Sequence, residues 1–130
     1  PLLPVDVVDL GNIIWKVSLN PGDAPELLLN KKYRGIAEKL RTDVEYQALI
    51  IPQVVQLVLI HLVENNSDSD PENWVHQWTE WLSSSGFKDI PENTSDEIEE
   101  WAAEVVEKFS KNKGLFERTI SKIFDEKESK

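Results

Sequence analysis

Leu49-Ile50-Ile51-Pro52-Gln53-Val54-Val55-Gln56-Leu57-Val58-Leu59-Ile60-His61-Leu62-Val63 is the stretch on which the fold turns. Apolar residues lie almost all round a helix drawn through it, the pattern of a centrally buried helix. Gln53, Gln56 and Glu64 fall within an arc of about 80°, leaving one narrow polar strip. Val54, Val55, Val58, Ile60 and Val63 are β-branched, so a strand pair is the competing reading. No Gly/Asn turn divides the run into strand lengths, which favours the helix. Pro52 either starts a new helix or kinks a longer one. The run is interrupted by Pro52, Gln53, Gln56 and His61 and falls short of the roughly 20 uninterrupted apolar residues that span a bilayer. It reads as core, and no membrane partner is expected.

Working outward, helix punctuation recurs on both sides. Pro4 opens a first helix to about Leu19, closed by Asn20-Pro21-Gly22, with Gly11 weakening its continuity by about 1 kcal/mol. Asp23 and Glu26 have capping-box spacing. The helix they start carries Leu28, Leu29, Ile36 and Leu40 inward and Lys31, Lys32, Arg34 and Lys39 outward. Thr42-Asp43-Val44-Glu45 caps the central element. After a flexible loop at 65–71, Asp70-Pro71-Glu72 begins a helix to about Ser84, stopped by Gly86. Thr94 and Glu97 box the start of a helix through about Lys111. Asn112-Lys113-Gly114 separates it from a last helix, and residues 126–130 form a frayed tail. The expected architecture is therefore all-α: a single domain over 1–130, a compact bundle of five to six short helices around the central apolar helix 49–63.

The charge is sharply segregated. Residues 66–107 hold 12 Asp/Glu against the single Lys88, a net −11 within a chain of net −10. The same block contains Trp74, Trp78, Trp81 and Trp101. Such segregation bears on partners and solubility rather than fold; it favours a basic protein partner and argues against direct binding to nucleic-acid backbones. Trp74, Trp78 and Trp81 point within about 60° of one another on a helix and coincide with its apolar face, so core outweighs an exposed recognition strip. In the following helix Ile98, Trp101, Ala102, Val105 and Phe109 share one face. Glu97, Glu100, Glu104 and Glu107 line the other, offset in part by Glu104–Lys108 and Glu107–Lys111 pairs.

Equipment for catalysis is sparse. The chain has no cysteine, which excludes disulfides, thiolate metal sites and a cysteine nucleophile and fits a reducing, cytoplasmic setting. His61 sits in the most apolar segment and reads as a core histidine with one satisfied hydrogen bond. His76 reads as a surface pair with Glu80. Neither histidine has metal-site spacing and there is no Gly-rich phosphate loop, so no metal, cofactor or catalytic residue is assigned. Asn65-Asn66-Ser67 and Asn93-Thr94-Ser95 match the glycosylation pattern at about chance frequency.

The function expected from these features is a non-enzymatic protein–protein interaction module: an adaptor, assembly chaperone, inhibitor or small subunit. Its acidic face, Glu80, Glu97, Glu100, Glu104 and Glu107, would meet a basic partner. Two alternatives stand beside it. One is an acidic nucleic-acid mimic that blocks a basic groove; the other is a small enzyme using Glu/His chemistry, which would need a deep pocket at His61 or a buried carboxylate. The basic residues Lys31, Lys32, Arg34, Lys39 and Arg41 offer the acidic block a counterpart, within the molecule or in a homo-oligomer.

Overall fold

The computed structural model describes residues 1–65, 73–87 and 90–124. Of the expected loop at 65–71 all but Asn65, together with the Asp70-Pro71-Glu72 cap and the tail 126–130, lies outside them. Over the described residues the chain forms three strands and then five helices: β1 (Val5–Val8), β2 (Trp15–Ser18), β3 (Glu26–Asn30), α1 (Ile36–Thr42), α2 (Val44–Glu64), α3 (Asn73–Ser84), α4 (Ile98–Lys111) and α5 (Lys113–Ile123). The fold is mixed α/β, which overturns the all-α helical bundle.

The first thirty residues carry the whole correction. The helix expected from Pro4 to Leu19 is two strands, and Leu28 and Leu29 lie in a third rather than on a helix. The sheet order is β1-β3-β2, with β1 parallel and β2 antiparallel to β3. Register places Val5, Leu27 and Val17 in one row and Val7, Leu29 and Trp15 in the next, all on one face. Asp6, Leu28 and Lys16 form a row on the other. Period-two alternation of β-branched and polar residues is what a one-sided sheet requires. Four-residue strands are too short to outweigh the capping signals that favoured helix.

Asn30, at the end of β3, ties the sheet together. It is buried, and its amide donates to the Gly11 carbonyl (2.9 Å) and the Ile13 carbonyl (2.8 Å) while its oxygen accepts from the Lys32 N–H (3.0 Å). The β1–β2 connection is thereby anchored to the end of the middle strand. Gly11 takes φ +66 in that connection, a left-handed conformation that glycine adopts without a Cβ penalty.

The helices follow the expected plan with displaced boundaries. α2 runs unbroken through Pro52, whose missing N–H leaves the carbonyl one turn earlier, at exposed Ala48, without its helical donor. Its cap is Asp43, which accepts from the Glu45 and Tyr46 N–H groups; the Thr42 hydroxyl instead donates back to the Glu38 carbonyl. α3 ends as expected at Gly86. The Phe87 N–H reaches the Leu82 carbonyl and the Gly86 N–H the Ser83 carbonyl, a Schellman pair. The Thr94–Glu97 box does not form: Glu97 holds the cap position without a side-chain bond, and Ser95 Oγ accepts from its N–H. Asn112 closes α4 and caps α5 through the Leu115 N–H, so Gly114 lies inside α5 rather than at the break.

One hydrophobic cluster joins the apolar face of the sheet to all five helices. α2 is its centre, with Ile50, Ile51, Val54, Val55, Val58, Leu59, Leu62 and Val63 buried. By length and composition alone α2 could cross a membrane, yet half of its most apolar stretch is buried inside this fold. Trp74, Trp78 and Trp81 are buried as core residues. Trp81 packs edge-on against Trp78 and Phe109 and donates Nε1–H to Thr119 Oγ1 (3.0 Å). The indole N–H groups of Trp74 and Trp78 are buried without a partner among the described residues.

Candidate functional site

α4 is built as a two-faced helix. Ala102, Val105, Val106 and Phe109 are buried, with α2 and α5 as its packing partners. With that face fixed inward, the 3.6-residue period leaves Glu97, Glu100, Glu104 and Glu107 outside, where all four are exposed. They span about 15 Å at 1.5 Å per residue. Glu99 and Glu100 lie in the first turn and Lys108 and Lys111 in the last, so the ends of this charge pattern complement the helix dipole. Glu104, in the middle, receives no such support.

Counter-charge along the ridge is thin. Glu107 pairs with Lys111 at 3.2 Å, but the expected Glu104–Lys108 pair does not form. The ion pairs among the described residues are Glu38–Arg41, Glu107–Lys111 and Glu117–Lys113, each within one helix. No ion pair among the described residues joins the ridge to the basic segment. Lys31, Lys32 and Arg34 lie in the turn after β3, and Lys39 and Arg41 on α1, so they do not share one helix face. Lys32 bonds Asn12 and lies over Tyr33, and Lys39 lies over Tyr46.

Glu80 belongs to a different feature. With Pro1, Leu2, His76, Gln77 and Lys122 it lines an open cleft of about 350 Å³, to which α4 contributes no residue. The expected His76–Glu80 ion pair is not formed. The backbone bond from Leu2 N–H to the Lys122 carbonyl (2.9 Å) holds the first residues beside α5 at this cleft. The structure thus gathers Glu100, Glu104 and Glu107 on α4 with Glu97 at its N-cap, and sets Glu80 among residues of α3, α5 and the first two positions.

His61 is committed to the fold. It is buried and stacked on Trp74, with ring centroids 5.2 Å apart. Nε2 lies 2.9 Å from the Asp23 carbonyl, which can only accept, so the proton sits on Nε2. Nδ1 then accepts from Asn65 Nδ2 at 3.3 Å. Asn65 also donates to the His61 carbonyl and accepts from the Gly22 N–H. Together the two side chains fasten the β2–β3 turn to the end of α2. The Asn65 amide nitrogen is therefore engaged within the fold, which disfavours it as a glycosylation acceptor. Among the described residues no Asp or Glu is buried, and no group of three metal-ligating side chains occurs.

Sequence reasoning missed Asn30 and Asn65, the two amides that organise the sheet. Their one visible signal was position: Asn30 directly follows Leu27-Leu28-Leu29, and Asn65 comes one residue after the apolar run that ends at Val63. Comparison with known protein families, curated proteins and solved structures finds no match to this chain.

Proposed function

We propose that this chain is a protein–protein interaction module whose α4 carboxylates, Glu97, Glu100, Glu104 and Glu107, dock a basic surface of another protein. The observation that carries this reading is the division of α4: one face buried in the core, the other an exposed acidic row with one ion pair along it among the described residues. An exposed row of like charge contributes little to folding. It raises the association rate with a complementary surface and disfavours wrong partners. Glu80 is left out of this docking surface because it lines a separate cleft.

The alternatives receive less support. Four carboxylates over about 15 Å give one charge per roughly 5 Å, against one per about 1.7 Å on duplex DNA. That density is low for a mimic of nucleic-acid phosphates. An enzyme using Glu/His chemistry has no buried carboxylate among the described residues to work with, and the ring of His61 is engaged by the Asp23 carbonyl and the Asn65 amide.

The test is retention of proteins from source extract on the immobilised chain and on its E97Q/E100Q/E104Q/E107Q variant, at low and high salt. The expected result is a basic protein held by the native chain, released by salt and lost from the variant. Equal retention with an equal salt response overturns the reading. Competition by duplex DNA for the retained protein would favour the mimic instead.

A further inference from the structure

β1 and β3 run parallel, so both finish at the same end of the sheet, and two turns meet there. The β1–β2 connection, residues 9–14, is joined to the turn after β3, residues 31–35, by the Asn30 amide, by the Lys31 N–H on the Val8 carbonyl (2.8 Å) and by Lys32 Nζ on Asn12 Oδ1 (3.2 Å). Ile13 is 54% exposed, Ile14 43% and Tyr33 37%, and Lys31, Lys32 and Arg34 are exposed with them. Asp9 is the one acidic residue in the two turns, and its carboxylate accepts from the Gly11 N–H. An apolar tip with three cations is thus built onto a chain of net charge −10. Leu49 and Leu57, exposed on α2, have no such company: between Glu45 and Glu64 that helix carries no Asp, Glu, Lys or Arg.

We propose that this tip binds the surface of an anionic lipid bilayer, with Ile13 and Ile14 entering the interface and Lys31, Lys32 and Arg34 among the headgroup phosphates. The pairing of side-chain types selects lipid. Aliphatic groups beside cations fit a surface that is anionic at its outer layer and apolar just beneath it, which a bilayer supplies at every point. A nucleic acid would use the cations and leave both isoleucines in water. Tyr33 would be the tip's one ring for base stacking, and Lys32 lies over it. An acidic protein would have to offer a pocket shaped to two adjacent isoleucines, whereas acyl chains mould to whatever enters them.

The net charge of the chain does not forbid this approach, because the field of a lipid surface falls off within a Debye length, about 8 Å at physiological salt. It acts on the charges at the contact, and there cations outnumber acids. Asn65, the last described residue before the acidic block 66–107, is bonded to Gly22 in the β2–β3 turn, at the opposite end of the sheet. Three cations and two half-exposed isoleucines give reversible attachment to the surface, far short of the insertion of a spanning helix.

Flotation of the full chain with phosphatidylcholine vesicles, with and without phosphatidylserine, tests this. Flotation with the phosphatidylserine vesicles only is expected, weakened by salt. The K31Q/K32Q/R34Q variant should lower partitioning on the order of a hundredfold, at about fivefold per charge. The I13S/I14S variant should lower it on the order of tenfold and keep the salt dependence. Both change exposed side chains, so the thermal midpoint should hold, and Leu49→Ser should float like the native chain. Because the chain has no cysteine, an environment-sensitive dye attached at Ile13→Cys reads insertion directly. Its emission should shift to the blue with phosphatidylserine vesicles, while the same dye at Leu49→Cys stays unchanged. No flotation, equal flotation with neutral vesicles, indifference to either variant, or a dye at position 13 that remains in water overturns the proposal. Capture of duplex DNA or of an acidic protein that depends on the cations and not on the isoleucines would overturn it in favour of that polyanion.

Discussion

The sheet of residues 1–30 and the helical region from Ile36 to Ile123 are held by different physics, although they share one hydrophobic cluster. The helices rest on apolar volume: three tryptophans, Phe109 and the inner face of α2, all out of water. The sheet has strands of four and five residues, exposes one face, and depends on two polar fastenings, at Asn30 and at His61–Asn65. Apolar volume is forgiving of where a helix begins, whereas a buried amide with three partners has one workable position. The sheet is thus the specific part of the molecule and the helical core the strong part.

The largest expected effect probes the strong part. Trp78→Ala removes a fully buried ring and should cost about 3–5 kcal/mol, read by chemical denaturation. Hydrogen exchange should rise in strands and helices alike, because the ring belongs to the shared core. A loss confined to the helices would mean that the two regions unfold independently.

Asn30→Ala comes next. It strands the Gly11 and Ile13 carbonyls and the Lys32 N–H in a partly buried setting, for an expected cost of about 2–3 kcal/mol. Amide exchange should quicken in β1, β2 and their connection while α4 keeps its protection. Equal loss of protection across the chain would erase the distinction between specific and strong. His61→Phe is smaller: it keeps an aromatic ring over Trp74 but deprives the Asp23 carbonyl and the Asn65 amide of their partner, for about 1–2 kcal/mol. Faster exchange around Gly22 and Asp23 is the expected signature.

What the sequence made legible divides along the same line. The central helix follows from a long apolar run with no turn signal, the tryptophan core and the two-faced α4 from apolar periodicity sustained over three or more turns, and the stop after α3 from Gly86. The sheet was not legible because two residues of alternation per strand face are outweighed by Pro4, Asp23 and Glu26, which imitate helix starts. β3 is also flanked by turns that its neighbours, not its own composition, decide. Caps failed by one to three residues for a related reason: at 42–43 and 94–97 several side chains compete, and tertiary placement picks the winner. Among the candidate site residues, the exposure of Glu97, Glu100, Glu104 and Glu107 was legible from helical spacing alone. The placement of Glu80 in a cleft with His76 and Lys122 was not legible, because charge in sequence carries no information about which cleft a residue will line. The exposed Leu49 and Leu57 were hidden by the apolar character of their neighbours.

The smallest expected effect on stability falls on the acidic ridge, and it is the most telling. Replacing Glu97, Glu100, Glu104 and Glu107 together by Gln should leave the folding free energy within about 0.5 kcal/mol per site, since all four are exposed and, among the described residues, only Glu107 is in an ion pair. The same variant measured for salt-dependent retention of a basic protein partner sets function directly against fold. Unchanged stability with lost retention is the predicted result. Retention that survives the substitution, or a domain that unfolds because of it, would contradict the assignment of this face to binding.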